Sequence, residues 1–254
     1  MDDSVISQFH DALKRGADAF NQGNQPQALN HFERAISLAD DIKDADRRRL
    51  EIREAALLLV KGRMAEMGRD LARKAVKLDE QLKQQRHLGQ DLLTLGWAEM
   101  QLGEMSEAGN TFKRALQVAE FNGDFDTATG ALTNTALIIG RQKQYDRASL
   151  DEGIRLLRKS LEYLGKRKKN EFEIITRIAL VQALEASGVG IDEILPVARP
   201  LFDQYAKVLR KDQWDGTLGP LRQAVNRYMA QHPGTDRDKW LKKRLPELLQ
   251  QRGA

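Results

Sequence analysis

The side chains that most often carry chemistry are few here and poorly spaced for it. Four histidines, His10, His31, His87 and His232, are scattered through a chain of 254 residues. None falls in HExxH or another paired spacing, where two imidazoles one helical turn apart hold a zinc ion. The chain has no cysteine, which removes disulfides, thiolate metal sites and a thiol nucleophile. GKRKKN at 165–170 lacks the Ser or Thr that a phosphate-binding loop supplies after its lysine. Neither GxSxG nor GxGxxG occurs, and Gly188-Val189-Gly190 reads as a turn with no strand before it. Carboxylates are numerous, but on regular helical patterns they read as solvated faces. His31, beside Phe32, reads as a surface or packing residue. No catalytic residue, metal or cofactor is therefore expected, and the chain reads as a binding protein rather than an enzyme.

Function then has to come from a surface, and helices are the elements available to build one. Apolar residues make up 41%, charged residues 31% and aromatics only 6%. Ala, Leu, Arg, Lys, Glu and Gln dominate, a helix-favouring set. The longest apolar runs, Ala55–Val60 and Ala136–Ile139, fall far short of the roughly 20 residues that span a bilayer. The opening MDDSVISQFHDALKRG has neither a basic nor an apolar leader region. A cytoplasmic protein without a membrane partner is the expectation. Charge is uneven: residues 1–140 carry 18 Lys and Arg against 22 Asp and Glu, and residues 141–254 carry 23 against 15.

The stretch LGWAEMQLGEMSEAGNTFKRAL at 95–116 predicts a helical hairpin. Leu92, Leu95, Gly96, Glu99 and Met100 share one helix face. Gly103 ends that helix, and Ser106 is read as the N-cap of the next. Ala108, Phe112, Ala115, Leu116 and Ala119 again share a face. Small residues, Gly96 and Ala108, stand where the helices come close, and Phe112 is the wedge between them. RGADAFNQGNQPQALNHFERAISL repeats the pattern. From Gly16, the steps to Gly23, Ala28, Phe32 and Ala35 are +7, +12, +16 and +19. From Gly96, the steps to Gly103, Ala108, Phe112 and Ala115 are the same.

This constellation resembles the tetratricopeptide repeat (TPR), with its small residue and glycine on the first helix and its Ala, Phe and Ala on the second. Ala56, Arg63, Gly68, Ala72 and Ala75 form a degenerate copy. A fourth copy has Leu132, Thr135, Ala136 and Ile139 on its first helix and Gly153, Leu157, Ser160 and Leu161 on its second. The linker between them is about five residues too long for the motif. A fifth, at 171–212, is two helices broken by Gly188–Gly190, with Asp192 as the expected N-cap. Ala35, Ala75 and Ala115 lie forty residues apart, which resembles the longer-helix TPR variants of bacterial regulators and motor-protein light chains.

The resemblance implies an all-α, right-handed superhelical α-solenoid occupying 1–254 as a single domain. Its repeats are expected at 8–46, 47–86, 87–126, 127–168 and 169–212, with terminal helices over 213–254. One terminal helix is expected over Thr217–Gln231. The other, over Asp236–Gln251, has Thr235 as N-cap and an apolar stripe of Trp240, Leu241, Leu245, Leu248 and Leu249, with a break at Pro246. It reads as a cap on the last repeat, or alternatively as a segment folded into the groove.

In such a solenoid the first helices of the hairpins line a concave groove where peptides dock. Alignment on the small residues puts Lys14, Arg53, Leu57, Lys61, Trp97, Gln101, Thr133, Asn134, Arg141, Thr176 and Arg177 on that surface. Arginine and asparagine there can hold carboxylates or peptide backbone, and Trp97 offers a flat anchor with one donor. Equally, Trp97 can pack between neighbouring first helices, and the arginines can be ordinary solvated residues. Leu13 and Ala17 stand where co-chaperone TPRs carry their carboxylate clamp, so that clamp is not implied, although Asn134 and Arg177 resemble its later members. A second surface is the basic cluster Arg155, Arg158, Lys159, Lys166, Arg167, Lys168 and Lys169. It reads as a basic helix end with an exposed loop, or as an electrostatic site for nucleic acid. The leading reading is a scaffold that binds a protein or peptide in the groove. The alternative is a nucleic-acid-associated regulator using the basic half. A first repeat preceded only by Met1–Gln8 also leaves an outer face through which a homodimer can form.

Overall fold

The computed structural model describes residues 2–62, 64–83, 85–141, 147–165 and 171–245. Among these residues every regular element is helical. The first six helices are α1 (Asp2–Asn21), α2 (Gln25–Asp40), α3 (Ala45–Lys61), α4 (Ala65–Gln81), α5 (Gln85–Gln101) and α6 (Met105–Asn122). They are followed by α7 (Phe125–Arg141), α8 (Arg147–Leu164), α9 (Glu171–Ala186), α10 (Ile191–Tyr205), α11 (Lys211–Gln231) and α12 (Arg237–Arg244). Tertiary contacts gather the chain into two compact units, Met1–Ala131 and Leu132–Ala254.

In the first unit the expected hairpins are present. Gly23 and Gly103 take the left-handed conformation, at φ 77° and 82°, which lets the chain reverse within three residues. Directly before each turn lies the contact that sets the helix spacing. A Cβ built on Gly16 would stand 2.5 Å from Phe32 Cε1, and one built on Gly96 would stand 2.5 Å from Phe112 Cε1. Both rings are fully buried, as are Ala35, Ala75 and Ala115. The middle hairpin reaches the same closeness in the opposite sense. There the small residue is Gly68 on the second helix, and Val60 on the first fills the space, 2.6 Å from where a Cβ would lie. Arg63, the expected replacement for the turn glycine, lies outside the described residues.

Three expected N-caps shift. α6 begins at Met105 behind Glu104, whose amide donates to the Glu99 carbonyl at 2.9 Å. The turn thus closes two residues before Ser106, and Ser106 falls inside the helix. Gly190 precedes α10, and Asp192 sits in its first turn, where a carboxylate faces the positive end of the helix. Asp236, rather than Thr235, caps α12, accepting from the Lys239 amide at 3.0 Å.

The second unit departs further from the expectation. α11 starts at Lys211, six residues before the expected Thr217, because the Gln213 side chain accepts from the Arg210 amide at 3.0 Å and secures the first turn. Pro220 lies inside this helix and cannot donate to the Gly216 carbonyl. Gln182 of α9 supplies the missing donor, its Nε2 lying 3.2 Å from that oxygen. α12 packs on α10 and α11. Leu241 and Leu245 are buried, Trp240 lies against the Tyr228 ring with centroids 5.2 Å apart, and Arg244 pairs with Asp192 at 2.5 Å. This is the expected capping helix, shorter than foreseen. Pro246, Leu248 and Leu249 lie outside the described residues.

Glycine at the crossing is a steric requirement, which two substitutions separate from helix propensity. Gly96→Ala should lower stability by up to about 2 kcal/mol, because crowding against Phe112 costs about 1–3 kcal/mol against a propensity gain of about 1 kcal/mol. Gly109, on the same hairpin, has nothing within 4 Å of its Cβ position. Gly109→Ala should raise stability by about 0.5–1 kcal/mol. Urea unfolding of both variants measures the two effects.

Candidate functional site

Three amphipathic helices bring a charged cluster to the middle of the first unit. Arg49 stands one helical turn before Ile52 on the buried face of α3. Asp79 follows Ala75 and Val76 on α4, and Asp91 lies between Leu88 and Leu92 on α5. All three side chains are buried, Asp79 and Asp91 at 1% exposure. Arg49 Nη1 lies 3.4 Å from Asp79 Oδ1. The two carboxylates face each other away from water, so one must carry a proton. Burial pushes Asp91 up to about 9, and the neighbouring Asp79 carboxylate, as hydrogen-bond partner and as charge, pushes in the same direction against Arg53 and Arg49. The Asp91 proton then supplies the hydrogen bond that the Asp79 carboxylate accepts.

Arg53 carries this cluster to the surface. Its Nη1 lies 2.8 Å from His87 Nδ1 and donates there, and it lies 3.5 Å from Gln90 Oε1. Burial, then the Arg53 and Arg49 charges, push the His87 imidazole down. It therefore stays neutral and accepts. Gln90 Nε2 donates onward to Asp124 Oδ2 at 3.3 Å, and Thr127 Oγ1 donates to the same oxygen at 2.7 Å. A polar ladder thus runs across the beginnings of α5 and α7 from the middle of α3.

Farther along these helices the surface turns mixed. Leu57 and Trp97 are half-buried, and Lys14 and Lys61 are exposed. Gln101 uses its Nε2 to bind the Val60 carbonyl at 3.0 Å, which ties the end of α5 to the end of α3. In the second unit, Arg177 is held by Glu173 at 2.8 Å and donates to the Val197 carbonyl at 3.3 Å. Asn134 is buried. Thr133 and Thr176, expected on the groove, are fully buried instead. Thr133 Oγ1 meets Ser160 Oγ at 3.0 Å and Thr176 Oγ1 at 2.9 Å. Hydroxyls that find one another in this way are satisfied inside the core and need no solvent. The Arg141 side chain lies outside the described residues.

No protein-family model matches the sequence, and no curated protein is similar to it in sequence. Solved structures do match in shape. The apo form of RapI superposes with a TM-score of 0.66 at 13% identity over 89% of this chain, which spans 64% of RapI's length. A Rap protein complexed with Competence and Sporulation Factor gives 0.56 at 13% identity, covering 97% of this chain and 71% of its own. A putative kinesin light chain of Podosopora anserina with nearly identical TPR-like repeats gives 0.54 at 15% identity, covering 79% of this chain and 94% of its own. The fold is a TPR-like helical repeat.

On this TPR-like frame the basic cluster sits along α8. Arg155 is engaged by Glu152, with both guanidinium contacts at 2.6 Å. Lys159 Nζ lies 5.5 Å from the centroid of the Tyr163 ring. The depression beside Arg155, Arg158 and Lys159 also contains Asp151, Glu162 and Glu193, so its charge is mixed. Lys166, Arg167, Lys168 and Lys169 lie outside the described residues. Among the described residues no group of side chains is arranged to hold a metal ion, and no helix is long and apolar enough to cross a membrane.

Sequence reading treated carboxylates as solvated and so missed Asp79 and Asp91. The available signal was their position, one turn from apolar neighbours on the inward stripe of each helix. Because the folded state holds Asp91 protonated, its contribution to stability is full below the ordinary carboxylate value of 3.8 and is lost as pH rises toward about 9. The slope for one proton is about 1.4 kcal/mol per pH unit. Asp91→Asn removes this titration while keeping a donor toward Asp79. Its stability relative to the parent protein should therefore increase steadily from pH 5 to pH 8, as read from denaturant midpoints.

Proposed function

We propose that the protein binds a peptide or protein segment along the first-helix face of its repeats and performs no catalysis. The observation that carries this reading is the row of half-buried and exposed side chains on α1, α3 and α5. Lys14, Arg53 and Lys61 supply positive charge, while Leu57 and Trp97 supply apolar contact. Such a row suits a segment with a carboxylate and an apolar anchor. Arg53 is positioned for that task by His87 and Gln90, which hold its guanidinium without neutralising it. A similar fold, in a Rap protein, carries Competence and Sporulation Factor, which supports a binding role for this architecture. The buried carboxylates Asp79 and Asp91 support binding over catalysis, because substrate cannot reach them. In the second unit, Arg177 and Asn134 are committed to internal contacts and burial, so the first unit is the better candidate. The remaining cluster residues on α8 are interleaved with carboxylates, which favours a protein partner over nucleic acid. A homodimer through the first repeat remains compatible with this face.

A random peptide library displayed against the full chain tests the reading. Peptides selected on the parent protein should bind an Arg53→Ala/Trp97→Ala variant at least about 10-fold more weakly, since interface anchors of these types typically cost 2 kcal/mol or more when truncated. Binding should weaken less than about 10-fold between 50 and 200 mM salt, where phosphate-driven binding through 6–10 contacts would fall about 10³–10⁵-fold. Equal binding by a folded double variant would place the site elsewhere.

A further inference from the structure

Where the first and third hairpins seat a phenyl ring, the described residues of the fourth leave open space. Its second helix carries Leu157 at the wedge position, and its first helix carries Ala136 at the small one. The space between α7, α8 and α9 forms a pocket of about 320 Å³, lined by Ala136, Ile139, Gly153, Leu157, Ala179 and Ala183 among others. None of the described lining residues is charged. Gln182 is the polar group at the pocket, and it is exposed, as is Ala186, so the two mark an opening to solvent. The Gln182 amide nitrogen is engaged by the Gly216 carbonyl at 3.2 Å, which leaves its Oε1 to accept a further bond. Apolar pockets walled by small side chains are poorly hydrated and take up flat apolar molecules. A charged group would lose its hydration there without gaining a partner.

We propose that this pocket binds a small, uncharged, mainly apolar molecule of indole size. Its ring would occupy the space that phenylalanine fills in the first and third hairpins, and its single donor would face Gln182 Oε1. This site is separate from the peptide-binding face and does not depend on it.

Thermal unfolding of the full chain, followed by circular dichroism with added indole, tests the assignment. Indole should raise Tm with the logarithm of its concentration above Kd, by about 3–6 °C at ten times Kd. Indole-3-carboxylate, charged at neutral pH, should give no shift. Leu157→Phe places a ring in the pocket and should abolish the indole shift. Ala183→Leu fills the space from the α9 wall and gives the same reading if Leu157→Phe does not fold. Absence of an indole-dependent Tm rise in the parent protein would overturn the proposal. So would an undiminished shift in a folded, filled variant, or an equal shift from the carboxylate.

Discussion

The helix spacing in this protein depends on a backbone lying directly under an aromatic ring. At Gly16 and Gly96 no side chain larger than hydrogen fits, because Phe32 and Phe112 already occupy the Cβ position. Each ring, wholly removed from water, is worth about 1.5–3 kcal/mol of burial. That gain is realised only when the neighbouring helix carries nothing at the crossing point. The second hairpin shows what the architecture requires. There Gly68 and Val60 exchange roles, so the small residue comes from the other helix and the filler is aliphatic. The requirement is one vacancy and one filler per crossing, and either helix can supply either part. Alanines at 35, 75 and 115 extend the close approach along the second helices.

This explains which parts of the fold were legible in the sequence. A hairpin contact joins residues at a fixed separation, so the offsets from Gly16 and Gly96 exposed the first and third repeats directly. The reversed second hairpin kept the offsets but inverted their meaning, since Ala56 was read as the small partner and Gly68 serves instead. Helix starts were less legible. Ser106, Asp192 and Thr235 all have suitable side chains, yet the backbone closes its turn one or two residues earlier or later than each. At α6 the Glu104 amide is already committed to the Glu99 carbonyl, which begins the helix before a serine cap can act. The start of α11 depends on a local side-chain bond from Gln213, which composition does not reveal.

The polar interior was the least legible part, and for a different reason. A carboxylate on an inward stripe is visible in one helix, but its partner is on another. Arg49, Asp79 and Asp91 come from three helices and make sense only together. Thr133, Ser160 and Thr176 repeat the lesson in the second unit, where hydroxyls on α7, α8 and α9 satisfy one another. Residues that looked like groove positions by alignment therefore became core, while Arg53, four residues after Arg49, stayed at the surface.

That one-turn separation between Arg49 and Arg53 joins the interior to the binding face. The Gly96–Phe112 contact fixes where α5 crosses α6, and the buried polar cluster fixes the same helix against α3 and α4. Displacing α5 by one turn would withdraw the Asp91 proton from Asp79 and leave that buried carboxylate with Arg49 but without its hydrogen-bond donor, a loss of about 1–3 kcal/mol. The same displacement would carry His87 and Gln90 away from Arg53. The register that satisfies the interior is thus the register that presents the Arg53 guanidinium, and the face available to a partner is set by charges the partner never touches.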